Sequence, residues 1–348
     1  MAKTTVSDII VPQLFAPYAQ NITKKLSRLI QTGTLVADNE LSAYLGGGGL
    51  TFNKPFFKDL DSSDAAQENV SLDGGPDSTP DKIGTFQETQ VRLSRNKSWS
   101  ATDLSQALAG PDPMDAIGSR VGNYWAKRLQ SALLATATGV WASNKAATGV
   151  AGMVEGDMTY SAIPGTGGYV KDVTDFNLNN FVNAIATMGD ASDDVTAVMM
   201  HSVVYHSLLK KNQITVIPAS QTSPKISFYM GREVIVDDQM PNYMVSTNRV
   251  FESWIMARGA FRFGQGSPKT PVEVERNAKA NNGGGEEVLY NRVEWILHPL
   301  GHSYIGVAPM GGPSNALTAN NLGNAASWAR VFPERKQVPM VRLMTVEF

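Results

Sequence analysis

The chain has 348 residues and not one cysteine, which excludes disulfides and thiolate metal sites. Charge is also scarce: 18% of residues are charged against 42% hydrophobic, and the net charge is −2. That balance excludes a protein that coats nucleic acid with its whole surface. Low charge on a water-exposed chain further suggests that partners bury much of the surface. No apolar run approaches the length of a membrane span and no signal-peptide pattern opens the chain, so the expected setting is a cytoplasm, with no membrane contact. Motifs of catalysis are missing as well. There is no GxSxG, no Walker loop, no GxGxxG after a strand and no HExxH. A chain of this size without a convergent polar site reads as structural rather than catalytic.

What is present is one dominant stretch, Asp112 to about Ser143 (DPMDAIGSRVGNYWAKRLQSALLATATGVWAS). Asp112 suits an N-cap, Pro113 the first helical position, and Asp115 the positive end of the helix dipole. Met114, Ile117, Val121, Tyr124, Trp125, Leu129, Ala132, Leu133 and Val140 recur at helical spacing. About 30 residues at 1.5 Å each span roughly 45 Å, so this helix is a strut rather than a pocket floor. Gly118 and Gly122 cost such a helix about 1 kcal/mol each, which predicts that something packs closely against them.

The first 30 residues carry Lys3, Lys24, Lys25 and Arg28 against Asp8 alone. The stretch ITKKLSRLIQTGTL there reads as a short helix with Ile22, Leu26, Leu29 and Ile30 on one face. Two readings stay open: a helix packed on its own domain, or an arm lying along a neighbouring subunit or a polyanion. Gly46–Gly49 is a turn or hinge, and LTFNKPFF is a strand that Pro55 places at an edge. Residues 59–81 hold seven acidic residues, Asp59, Asp61 and Asp64 among them, and no basic one. The D-x-D-x-x-D spacing lacks the glycine and glutamate of a calcium loop, so the expectation is a solvated loop. The chain returns from Gly84 as a polar strand, TFQETQVRLSRNKSWSA, in which Arg92, Arg95 and Lys97 form a basic edge. A polar two-stranded excursion of that length needs a neighbour to lie on.

After a short helix at 102–109 and the strut, helix and strand patterns mix. A helix is predicted from Asp175 to Met188, a buried strand at Ala197–Met200 leads into a helix, and ITVIP, Phe228–Met230 and REVIVDD are strands. RVFESWIMARGAFRFG reads as two strands around Arg258-Gly259, VEVER and EEVLYNRVEWILHP as a hairpin, and VPMVRLMTVEF as a closing strand. His201, His206, His298 and His302 have no helical metal spacing and read as structural; Asp237-Asp238 reads as a cap and Glu286-Glu287 as solvated. The fold class is α+β, with mixed sheets, one very long helix and two long extensions.

Four stretches in this order resemble one family: 102–144, MHSVVYHSLLKKNQI (200–214), GREVIVDDQMP (231–241), and RGAFRFGQGSP through YNRVEWILHPLGHSY (258–304). Together they are similar to the phage capsid and coat protein family, the major capsid proteins of tailed bacteriophages with the HK97-type fold. The resemblance implies an N-terminal arm at 1–48, an extended hairpin loop at 49–100 and a peripheral domain at 101–174 with its spine helix at 112–143. A mostly axial domain at 175–315 and a return to the peripheral domain at 316–348 complete it. It implies self-assembly as pentamers and hexamers into an icosahedral head around double-stranded DNA, with DNA contacted nonspecifically. No catalytic, cofactor or metal site is expected. Expected partners are other copies of the chain, a separate scaffolding protein (the arm starts almost at Met1), a portal protein and a decoration protein. Candidate inter-subunit contacts are Lys24, Lys25, Arg28, Asp59, Asp61, Asp64, Arg92, Arg95 and Lys97. The competing readings are an encapsulin-like compartment shell and a soluble metal-dependent hydrolase built on His298, His302 and Asp238.

Overall fold

The computed structural model describes residues 33–58, 82–109, 113–146, 156–163, 169–217, 226–245 and 248–347, with isolated positions between 60 and 80. Its first elements are β1 (Leu35–Ala37), α1 (Asn39–Gly46), β2 (Thr51–Phe57), β3 (Thr85–Thr102), α2 (Asp103–Ala109) and α3 (Pro113–Ala146). β4 (Thr159–Ser161), α4 (Leu178–Ala186), β5 (Val195–Met200), α5 (Ser202–Lys210), β6 (Thr215–Ile217), β7 (Ile226–Tyr229), β8 (Arg232–Val236), β9 (Asn242–Val245) and β10 (Asn248–Ala257) follow. Then come β11 (Phe261–Gly266), β12 (Val272–Asn277), β13 (Glu286–Pro299), β14 (His302–Tyr304), β15 (Trp328–Arg330) and β16 (Met340–Val346).

Two mixed sheets carry the chain. One runs β1-β11-β13-β3-β2 with β12 added on β13; the other runs β4-β16-β10-β5-β8-β7-β6 with β9 added on β10. The two strands read around Arg258-Gly259 are both present and lie in different sheets: β10 belongs to the second and β11 to the first. Segment 175–315 divides accordingly, with 175–257 in the second sheet and its helices and 261–299 in the sheet that bears the hairpin. A tight turn with Gly259 at φ 74° joins them.

The central strands of the second sheet are covered on both faces. Trp254 and Met256 of β10, Ala197 and Met199 of β5, and Ile235 of β8 face one core with α3. Phe251 and Ile255, Val198 and Met200, and Val234 face another with Phe181 and Ile185 of α4 and Val204 and Leu208 of α5. Side chains alternate across a strand, so a sheet covered on both faces reads apolar at every position. Asn177, not Asp175, caps α4 by accepting from the Asn180 N–H at 2.8 Å, so the helix starts three residues later than its pattern suggests. Asp175 is instead buried and paired with Lys211.

The strut is real and spans 34 residues, about 50 Å. Its two halves differ. No side chain from Pro113 to Arg128 is buried, whereas most from Leu129 to Asn144 are. The buried half lies between the two sheets, with the Trp141 ring 6.4 Å from that of Trp254. Close packing falls at Gly139, where a Cβ would lie 2.1 Å from the Leu322 carbonyl oxygen and 2.8 Å from the Trp328 ring. At Gly118 and Gly122, where the sequence predicts close packing, nothing among the described residues lies within 4 Å of that position. At its far end Asn144 accepts from the Met158 N–H at 3.1 Å and donates to Asp157 at 2.9 Å. Asp157 in turn takes both Nη1 bonds of Arg330, at 2.9 and 2.7 Å.

These contrasts predict opposite outcomes in one helix. Gly118→Ala or Gly122→Ala should stabilise the unassembled subunit by about 0.5–1 kcal/mol. Gly139→Ala should destabilise it by about 1–3 kcal/mol through overpacking. Urea unfolding of the unassembled subunit measures both.

Candidate assembly surfaces

The hairpin is built from β2 and the first part of β3, in register from Thr51 opposite Val91 to Phe57 opposite Thr85. Pro55 sits on β2, the edge strand, as expected. β3 does not end with the hairpin. From Arg92 to Thr102 it pairs with β13, so one continuous strand carries the excursion out of a six-stranded sheet. A stiff root of this kind sets the direction of the projecting part.

The root is clamped by polar groups. α1 is capped by Asp38, which accepts from the Glu40 N–H at 2.9 Å. It lies on β11, where Gly264 lets Leu41 approach: a Cβ there would be 2.6 Å from the Leu41 Cβ. Arg92 donates to the Leu45 and Gly47 carbonyls at the end of α1, at 2.5 and 2.8 Å, with its guanidinium 5.6 Å from the centre of the Phe52 ring. Arg95 donates to the carbonyls of Ser94 (3.0 Å), Gly311 (2.6 Å) and Pro313. Of the expected basic edge, therefore, Arg92 and Arg95 are engaged by their own subunit and Lys97 is exposed. Lys24, Lys25, Arg28, Asp59, Asp61 and Asp64 lie outside the described residues, as do the expected helix in the arm and Asp112.

Beneath the hairpin is a buried ionisable cluster. Glu88 of β3 is 2% exposed, His298 of β13 1% and His302 of β14 0%. Glu88 accepts from the Gly301 N–H at 2.9 Å and lies 3.3 Å from His298 Nε2. Ser303 seals the edge, donating to the Gln87 carbonyl at 3.1 Å and accepting from the Thr89 N–H at 3.0 Å. Burial alone would raise the Glu88 pKa, but the hydrogen bond and charge of His298, with the Gly301 N–H, hold it below its usual value. Burial pushes His302 down to about 4, so it is neutral at pH 7 and donates from Nδ1 to the Leu300 carbonyl at 3.1 Å. Both histidines thus lie inside this packing. Among the described residues no three His, Asp or Glu groups are placed to hold a metal ion.

The acidic pairs divide differently from expectation. Asp237 accepts from the Gln239 N–H at 3.0 Å, a turn cap, and also accepts from Gln130 of α3. Glu286, expected in solvent, is 7% exposed at the start of β13, opposite Thr102. It is buried because β13 there is an interior strand between β12 and β3. Glu287 takes Arg276 at 2.9 Å, and Arg276 also reaches Asp103 at 2.6 Å. Sequence reasoning missed Glu88 and Arg330. Two polar residues at alternate positions of a strand, Glu88 and Gln90, were the available sign of the first; nothing local marks Arg330, 173 residues from Asp157.

The subunit also exposes apolar side chains on several separate surfaces. Val307 and Met310 protrude from the loop beside β3, Leu178 and Val182 from α4, and Val272 and Val274 from the edge strand β12. Together with the bare half of α3, these are surfaces that water penalises and a neighbour would cover. Among the described residues, no helix is long and apolar enough to cross a membrane.

A projecting hairpin, a spine helix packed over only half its length and two mixed sheets define the class: this is the HK97-type fold of shell-forming capsid subunits. It matches the capsid asymmetric unit of cyanophage Pam1 with a TM-score of 0.55 at 10% identity, covering 89% of this chain and 88% of that one. It matches the capsid of Ralstonia phage GP4 with a TM-score of 0.53 at 9% identity, covering 92% and 89%. The chain belongs to the Gp13-like family of major capsid proteins, whose family model matches residues 49–339. It is 35% identical over 339 residues to the major capsid protein of Bacillus phage SPP1, covering 97% of this chain and 96% of that protein. It is accordingly a self-associating structural protein of a tailed-phage virion.

Two predictions follow from the hairpin root. His302 binds a proton in the unfolded chain below pH 6.5 but in the folded subunit only below about 4, so stability should fall by about 2–3 kcal/mol as pH drops through that window. Glu88, held below the usual carboxylate value by His298 and the Gly301 N–H, adds a further loss as pH falls through its folded pKa. His302→Gln should flatten the urea-midpoint profile between pH 6.5 and 4. Arg92→Ala should cost about 1–2 kcal/mol by stripping a charged donor from two carbonyls. Limited proteolysis should then detect faster cutting at Gly46–Gly49.

Proposed function

We propose that this chain builds an icosahedral head of hexamers and pentamers around phage double-stranded DNA and catalyses no reaction. The observation that carries the reading is the outer half of α3: from Pro113 to Arg128 this 34-residue helix has no fully buried side chain in its own subunit. An isolated subunit gains little from so long a half-covered stretch of helix, whereas repeated copies would complete its burial. The body of the second sheet, with Leu178 and Val182 exposed on α4, suits the axial domain that meets its copies around the symmetry axes. The hairpin-bearing sheet and the spine helix suit the periphery, with 49–100 as the extended loop and 1–48 as the arm.

The arm's Lys24, Lys25 and Arg28 give it the charge to lie along a neighbour or against packaged DNA, nonspecifically and in a salt-dependent way. Several modest surfaces do not by themselves select one curvature, which favours a separate scaffolding protein. A portal protein at one vertex and a decoration protein on the outer face complete the expected partners, and assembly would occur in the bacterial cytoplasm. The compartment-shell alternative shares the fold, but family and relative alike are major capsid proteins.

Light scattering with negative-stain microscopy, with and without the candidate scaffold, tests the reading. Closed shells of uniform size with the scaffold, and irregular or open assemblies without it, are expected. Uniform shells from the chain alone would remove the scaffold, and a monomer under both conditions would overturn the assembly reading.

A further inference from the structure

The turn that joins β12 to β13 holds the one Asn-Gly pair in the chain, Asn282-Gly283. Asn281 and Asn282 both have left-handed backbone, with φ 55° and 58°, and Gly283 follows at φ 90°. Asparagine and glycine are the residues that tolerate such a path. The two asparagines are held differently. Asn281 donates from Nδ2 to the Gly285 carbonyl at 3.1 Å, and its own carbonyl accepts from the Gly284 N–H at 3.2 Å. Among the described residues the Asn282 side-chain amide has no hydrogen-bond partner. The foot of the turn is fixed: Gly285 is buried, and a Cβ there would lie 2.3 Å from Asp103 Oδ2 of α2. The tip, Asn281 to Gly284, is exposed.

A free asparagine amide ahead of a glycine is an electrophile beside a backbone nucleophile. When hydroxide removes the proton from the Gly283 nitrogen, that nitrogen can bond to Asn282 Cγ. The adduct expels the side-chain nitrogen as ammonia and leaves a five-membered succinimide. Water opens the ring at either carbonyl, giving aspartate, or isoaspartate, in which the backbone runs through the former side chain. The balance is one water consumed and one ammonia released, with no oxidant or cofactor. A bulky following residue or a rigid backbone would block the attack. Gly283 has no side chain, and nothing among the described residues lies within 4 Å of the position a Cβ would take. Attack also needs the Asn282 ψ to rotate away from 40°, and an exposed turn with consecutive glycines opens at little cost.

We propose that Asn282 is a spontaneous modification site, converted in the folded subunit through a succinimide with Gly283 into aspartate and isoaspartate. The conversion is irreversible and needs no second copy of the chain, so it stands apart from the assembly reading. It adds one negative charge to a chain of net charge −2. Isoaspartate also lengthens the backbone inside the Gly284-to-Asn281 and Gly285-to-Ala280 hydrogen bonds that shape the turn. The strand it loosens is β12, an edge strand exposed at all six positions.

Peptide mapping of the full-length unassembled subunit, incubated in mildly alkaline buffer, tests this. Trypsin cuts after Lys279 and Arg292 and releases 280–292 as one fragment. That fragment should gain about 1 Da, placed on residue 282 by tandem fragmentation, as two products of which one is a substrate for an isoaspartyl methyltransferase. The rate should rise about tenfold per pH unit, because the attacking nitrogen must lose its proton. The same chain unfolded in urea serves as the clock, and the folded subunit should convert within about tenfold of it. Asn282→Gln should abolish the gain, while Asn281→Ala, which only unties the turn from Gly285, should not slow it. Conversion in the folded subunit about a hundredfold slower than in urea would show that the turn protects Asn282 and overturn the proposal. A gain placed on Asn281 or Asn291 instead, or none in either state, would overturn it equally.

Discussion

Everything in this subunit hangs on the burial of one half of one helix. From Leu129 onward α3 is enclosed by both sheets, and its contacts leave no slack: Gly139 against the Leu322 carbonyl, Trp141 against Trp254, Asn144 against Asp157 and Met158. Core packing at this density is intolerant of shifts, so the helix axis is fixed to the sheets. A fixed axis lets the other half extend with only partial cover, from Tyr124 on Trp99 and Trp125 on Trp295 and Asn291. The helix is thus anchored at one end and offered at the other.

The same division between fixed and offered recurs in the hairpin. β3 belongs to the six-stranded sheet where it pairs with β13, and is an excursion where it pairs only with β2. Its buried root combines Glu88, His298 and His302 with the Arg92 clamp on α1. Such polar burial costs free energy unless every group is satisfied, and here most partners come from the neighbouring turn Leu300–Ser303. This ties the hairpin's direction to the sheet by polar contacts whose strength depends on protonation. The apolar core under α3 has no such dependence. Acid therefore acts on the hairpin's seat before it acts on the helix that anchors the fold.

Surface chemistry follows the same logic. The chain is poor in charge, yet its charges are unevenly placed: 59–81 is uniformly acidic, while Lys127 and Arg128 on α3 and Lys97 on β3 are exposed cations. Exposed apolar side chains sit on separate patches rather than one. A shell built through many weak contacts needs this distribution, since a single dominant patch would give dimers instead of a closed lattice.

Much was readable before any coordinates, because its causes are local. The spine helix announced itself through Pro113, Asp115 and helical apolar spacing, and β2 announced its edge through Pro55. The burial of β5 showed as the apolar run Ala197–Met200, although which helices covered it did not; that of β10, whose run is broken by Glu252 and Ser253, did not show. Four ordered stretches were enough to place the chain among phage capsid proteins. What only tertiary structure decided are long-range pairings that no window of sequence contains. They include β10 and β11 parting into different sheets, Asp157 meeting Arg330, and Arg92 and Arg95 turning inward to carbonyls rather than outward. The expected packing at Gly118 and Gly122 is not found among the described residues for the same reason. Helix propensity and periodicity depend on neighbours a few residues away, whereas burial depends on which distant surface arrives.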